Sequence, residues 1–147
     1  VSPAHNEQTT VIVRRVIPAP RERVFDAWLD PVRLAAFMRP SSVTRTTAEV
    51  DPRVGGRFRI VMYHPAAGAA GTEHTGEYLL IDRPHRLAFT WRSINTDDAA
   101  TEVTIEFLAH GSDTEVVLTH KHLPQRTAES HRTGWSGILA GLGEVFR

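Results

Sequence analysis

A chain of 147 residues with 41% apolar and 23% charged residues has the size and make-up of one soluble globular domain. Lys+Arg and Asp+Glu are equal at 17 each, so no net field gathers nucleic acid or an anionic membrane surface. Cysteine is absent, which removes disulfides, thiolate metal sites and cysteine nucleophiles, and no apolar run approaches the roughly 20 residues that span a bilayer.

The opening VSPAHNEQ lacks the basic and then apolar regions of a secretory leader. It reads as a short flexible tail, residues 1–8, ahead of a single domain over 9–147, with the cytoplasm as the expected location. TTVIVRRVI (9–17) is rich in β-branched residues and reads as a first strand. PRERVFDAWL (20–29) follows with Val24, Phe25, Trp28 and Leu29 at helical spacing and Pro20 suited to the first helical position. DPVRLAAFM (30–38) restarts a short helix, with Asp30 as N-cap and Pro31 after it.

From Val43 the period changes to two. VTRTTAEV, GRFRIVMY, GTEHTGEYLLI, HRLAFTWRSI, TEVTIEFLAH and TEVVLTHKHL are strand-like runs, separated by short segments rich in Gly, Pro, Asn or Asp. Such short links join neighbours as antiparallel hairpins. TAESHRTGWSGILAGLGEVFR (127–147) returns to helical spacing, with Trp135, Ile138, Leu139, Leu142 and Phe146 on one stripe. Its four glycines, each costing about 1 kcal/mol against alanine, mean that packing has to hold this helix. The order strand, two helices, six strands, long helix is an α+β architecture, an antiparallel sheet wrapped around a terminal helix.

The stretch DPRVGGRFRI (51–60) admits two readings. Paired glycines between arginines can cradle a phosphate, or they can turn the chain into a strand. A P-loop needs G-x-x-x-x-G-K-[ST] between a strand and a helix; here there is no lysine, and a strand-like run follows. A positive-φ turn or bulge is the expectation.

Five segments carry a resemblance: VFDAWLDPVRLAAFM (24–38), DPRVGGRFRIVM (51–62), GEYLLIDRPHRLAFTW (76–91), TEVVLTH (114–120) and GWSGILAGL (134–142). In this order they resemble the helix-grip superfamily (START/Bet v 1-like), and within it the family named after the activator of the Hsp90 ATPase. Phe37-Met38 departs from the pattern, since many members carry a tryptophan there. The resemblance implies a curved seven-stranded antiparallel sheet that wraps around a long C-terminal helix, with a two-helix hairpin after the first strand. It also implies a cavity for a lipophilic ligand between sheet and helix.

Alternation supplies the inward positions. Phe58, Ile60 and Met62 share one strand face; Leu87, Phe89 and Trp91 another; Val103, Ile105 and Phe107 a third; Val116, Leu118 and His120 a fourth. With Trp135, Leu139 and Leu142 they either line the cavity or simply fill it as core. Tyr78 is added as a hydroxyl within reach of a pocket, its phase being ambiguous, as is that of Tyr63. His120 either offers a hydrogen bond or a base to a ligand, or is an ordinary strand-end histidine bonded to a carbonyl.

His120 and His122 invite a metal reading, but a catalytic zinc site needs a third ligand and none stands at a recognisable spacing. GWSGI lacks the second spacer of G-x-S-x-G, and the carboxylates Glu73, Glu77, Asp97, Asp98 and Glu102 lie near turns or strand ends without pairing for acid–base work.

No catalytic residue, metal or cofactor is therefore assigned. Three functions remain open, in this order: a binding module for a small lipophilic molecule; a cyclase, hydrolase or isomerase acting on a polyketide-like or aromatic substrate in the same cavity; and a partner of a chaperone ATPase. The expected partner is the small molecule, not nucleic acid or membrane. A homodimer is common for small chains and stays an open expectation.

Overall fold

The computed structural model describes residues 8–147. Residues 1–7 of the expected tail lie outside the described residues, and Gln8 already pairs with Pro124 in the sheet. The strands are β1 (Gln8–Ile17), β2 (Arg45–Val50), β3 (Arg57–Tyr63), β4 (Thr72–Asp82), β5 (Arg86–Trp91), β6 (Thr101–His110) and β7 (Asp113–Pro124). The helices are α1 (Arg21–Ala27), α2 (Pro31–Phe37) and the long α3 (Ala128–Val145). All seven strands form one antiparallel sheet in the order β1-β7-β6-β5-β4-β3-β2. It curves around α3 in the helix-grip arrangement. No helix among the described residues is long and apolar enough to cross a membrane.

Register turns the alternation into a core. Ile60 stands opposite His74, Phe89 opposite Val103, and Ile105 opposite Leu118, so the inward sets of neighbouring strands meet on one face. Phe25 of α1 closes one end of that face, packing edge-on to Phe107 with ring centroids 5.1 Å apart.

The hairpin starts one residue later than its sequence suggests. Pro20 has extended backbone (ψ 156) and sits outside the helix as its N-cap. Asp30 caps α2 as expected, its Oδ1 accepting the Val32 N–H at 2.9 Å. Phe37 and Met38 are both buried, Phe37 lying edge-on to Trp28 at 4.9 Å. Strand β5 also ends early. Ser93 caps a short 3-10 turn over Ile94–Thr96 through the Asn95 N–H, which takes the chain out of the sheet after Arg92, itself still bridged to Thr75 of β4.

The DPRVGG loop is a turn, and the amides of both its glycines are spent inside the chain. Arg53 N–H donates to the Asp51 carbonyl, Gly55 N–H to that of Tyr78, and Gly56 N–H to that of Arg53, at 2.8–2.9 Å. The two glycines serve different needs. Gly55 alone has positive φ (+83), while a Cβ on Gly56 would stand 2.1 Å from the Asp51 carbonyl oxygen.

Helix α3 is held by packing on β1, β7 and α2. Trp135, Ile138, Leu139 and Leu142 are buried, whereas Phe146 is only half-buried and carries the guanidinium groups of Arg23 and Arg33 at 5.2 and 5.6 Å. A Cβ on Gly141 would come within 3.0 Å of the Phe37 carbonyl oxygen, so a glycine here permits α3 to approach α2 closely. A Cβ on Gly134, two turns earlier, would meet nothing within 4 Å. The face of α3 that carries Gly134 is therefore open at the amino-terminal end, although Trp135 beside it reaches the sheet.

Candidate functional site

That open face borders a cleft of about 600 Å³ that reaches solvent. Met62 of β3, Thr72 and His74 of β4 and Trp91 of β5 form the sheet side. His131, Gly134, Trp135 and Ile138 form the helix side, and the α2–β2 loop Pro40–Val43 closes one end.

The back wall is an aromatic and imidazole surface. Trp91 lies 4.9 Å from Trp135 and 4.9 Å from the His74 ring, centroid to centroid. Behind Trp135, its indole N–H donates to Nδ1 of His120 at 2.9 Å. With Nδ1 an acceptor, neutral His120 carries its proton on Nε2, which donates to Thr101 Oγ1 at 2.7 Å; that hydroxyl donates onward to the Trp91 carbonyl at 2.6 Å. The chain Trp135–His120–Thr101–Trp91 thus ties the two wall tryptophans together through groups that are all buried.

Burial sets the charge of this wall. It pulls His120 down from 6.5 to about 3, with the neighbouring His131 adding to the effect. It pulls His74 down to about 4, opposed by the hydrogen bond from its ring to the Ile60 carbonyl. His131 is lowered too, burial outweighing its bond to Thr127. All three imidazoles are neutral at pH 7. The Nδ1 atoms of His131 and His74 face the carbonyl oxygens of Thr127 (2.8 Å) and Ile60 (3.4 Å), so in each ring Nδ1 carries the proton. His64, at the rim, pairs Nε2 with the Thr72 hydroxyl at 3.2 Å, while its Nδ1 is buried without a partner among the described residues.

The structure divides the twelve expected site residues. Met62, Trp91 and Trp135 line the cleft. Phe58, Ile60, Tyr78 and Phe89, with Trp91, instead surround a void of about 10 Å³ deeper in the sheet. Phe107, Leu118, Leu139 and Leu142 are core, and His120 stands one layer behind the wall. Tyr78 resolves to the inward phase, and burial raises its hydroxyl pKa well above the usual range. Tyr63 is partly exposed and stacks under Arg45 at 4.0 Å. His120 and His122 do not come together, since His122 is on the surface with φ +68.

Sequence reasoning passed over His74, His131, Gly134 and the Pro40–Val43 loop. Two signals pointed to the histidines: His74 shares strand parity with Tyr78, and His131 stands one helical turn before Trp135. The carboxylates of Glu73, Asp97 and Asp98 are exposed and paired with Arg59, Arg126 and Arg92.

The shape has solved counterparts. Protein CV1439 from Chromobacterium violaceum is similar at 28% identity, with 93% of this chain and 96% of that one covered and a TM-score of 0.79. A protein from Arthrobacter aurescens is similar in fold at 19% identity, covering 93% and 85%, with a TM-score of 0.80. CalU16 from Micromonospora echinospora is similar in fold at 21% identity, covering 95% and 85%, with a TM-score of 0.70. No curated protein matches. The family described as Activator of Hsp90 ATPase homolog 1-like protein matches over residues 18–147, a span that takes in both helices of the hairpin, the sheet from β2 onward and all of α3; the chain belongs to that family.

Proposed function

We propose that the chain binds one small, mainly apolar molecule in the cleft between α3 and strands β3–β5. The observation that carries this reading is the cleft itself: about 600 Å³, walled by Trp91, Trp135, Met62 and Ile138, with a few polar groups converging on it. A helix held only by core packing gains nothing from a glycine facing open space, whereas a binding cleft needs that room. Native mass spectrometry of protein purified from its own cells tests this, comparing the wild type with Gly134→Leu. The wild type retains a recurrent small-molecule mass and Gly134→Leu loses it while remaining folded, because the new side chain fills the cleft. Equal retention by both proteins, or by neither, would sink the proposal.

A second reading, proton transfer to or from the bound molecule, is favoured by His131. Its Nδ1 is held by the Thr127 carbonyl at 2.8 Å, the orientation that leaves Nε2 as a base. Conversion of the retained molecule on incubation, lost in His131→Leu, separates an enzyme from a carrier.

A further inference from the structure

The two imidazoles of the cleft's back wall have a consistent sense. Both His131 and His74 line it, and in both the Nδ1 proton faces a backbone carbonyl. In each ring Nε2 is then the lone-pair nitrogen; that of His131 has no hydrogen-bond partner among the described residues, while the His74 ring also meets the Thr72 carbonyl. The two imidazoles thus offer acceptors, beside the Trp91 indole N–H and the Ser41, Ser42 and Thr133 hydroxyls, which also belong to the lining. Charge points the same way. No Arg or Lys belongs to the lining, and burial keeps His74 and His131 neutral. The first turn of α3, the helix end that would attract an anion, carries Glu129 at the cleft mouth. A carboxylate or phosphate entering here would shed its water and find no cation. The flat walls are aromatic: Trp91 and Trp135 tilted by 55°, and the His74 ring set at 31° to Trp91.

From this we propose that the ligand is an uncharged aromatic molecule bearing a hydrogen-bond donor, an O–H or N–H that Nε2 of His131 accepts, with Nε2 of His74 as a second acceptor. The assignment rests on the reading of the cleft as a binding site and adds the class of ligand it selects. His131 is the specificity-determining group and the two tryptophans are the surface on which the ring lies. A ligand of the same shape with its donor capped leaves the imidazole unpaired, and one with an anionic group adds an uncompensated charge.

The test is isothermal titration of the purified protein with naphthol, its methyl ether and naphthoate at about pH 7.5, where naphthol is uncharged and naphthoate ionised. Naphthol binds about tenfold more tightly than the methyl ether, the worth of one buried hydrogen bond, and naphthoate binds most weakly. His131→Leu removes naphthol's advantage and leaves the ether's affinity in place. Naphthoate binding as tightly as naphthol, or an unranked set of three, overturns the ligand class while leaving the binding site standing. No binding by any of the three overturns both. The wild-type ranking alone decides the matter if His131→Leu fails to fold.

Discussion

The same substitution, tryptophan to phenylalanine, is expected to have different consequences at two buried positions of this protein. Trp135 and Trp28 are each 2% exposed, so the packing lost on shrinking the ring is alike, about 1–2 kcal/mol. They differ in the indole N–H. At Trp135 it donates to His120 Nδ1, and its removal leaves a fully buried imidazole nitrogen unpaired, a further cost of about 1–3 kcal/mol. At Trp28 the N–H is buried with no partner among the described residues, so its removal relieves a penalty of the same size. Trp135→Phe is therefore expected to destabilise by about 2–5 kcal/mol, and Trp28→Phe to lie between about 1 kcal/mol of lost and about 2 kcal/mol of gained stability. Urea denaturation reads both as shifts of the midpoint at constant slope. Equal destabilisation of the two variants would refute the reasoning, since it would mean that the Trp135–His120–Thr101 chain adds nothing to stability.

Further expectations follow from histidine burial and from the turn. His120 and His74 have folded pKa values of about 3 and about 4, below the ordinary 6.5, so the unfolded chain takes up protons in a range where the native chain does not. The stability they contribute is complete above pH 6.5 and is lost as pH falls toward those folded values, at a limiting slope of about 1.4 kcal/mol per pH unit for each histidine. Melting temperatures measured from pH 7 to about 5, where carboxylates stay largely ionised, should drop steadily; a flat profile would contradict the buried neutral assignment. In the DPRVGG turn, Gly55→Ala should cost about 1 kcal/mol for its positive φ, and Gly56→Ala more, because the Cβ meets a backbone oxygen. A reversed order in chemical denaturation would contradict the turn geometry. Asp30→Ala should cost about 1 kcal/mol through the lost cap of α2, visible in the same experiment.

Alternation and helical spacing carried most of the fold. The inward sets on β3, β5, β6 and β7 all proved buried, because a sheet with one face on a core punishes any slip of register. The site was less legible, and for a physical reason. Whether an inward residue lines a space or fills it depends on how far the covering helix stands from the sheet, which strand periodicity does not encode. Phe58 and Met62 lie four residues apart on one strand face, yet Met62 lines the cleft while Phe58 is packed against Phe89, Tyr78 and Trp91. The information sat in α3, where Gly134 and Gly141 look alike in sequence but one faces open space and the other a carbonyl of α2. His120 was singled out as an inward polar residue, but its partners, Thr101 and Trp135, are 19 and 15 residues away. No local pattern joins them.

Occupation of the cleft beside Trp91 and Trp135 by a small molecule is measured most directly through the three tryptophans. Their indole N–H groups give separate resonances in a nitrogen–proton correlation spectrum, assignable from Trp28→Phe and the corresponding variants at the other two positions. On titration with naphthol the Trp91 and Trp135 signals should move together and saturate, while that of Trp28, which lies outside the cleft lining, stays in place. Unmoved Trp91 and Trp135 signals at saturating naphthol, or a response confined to Trp28, would contradict the account.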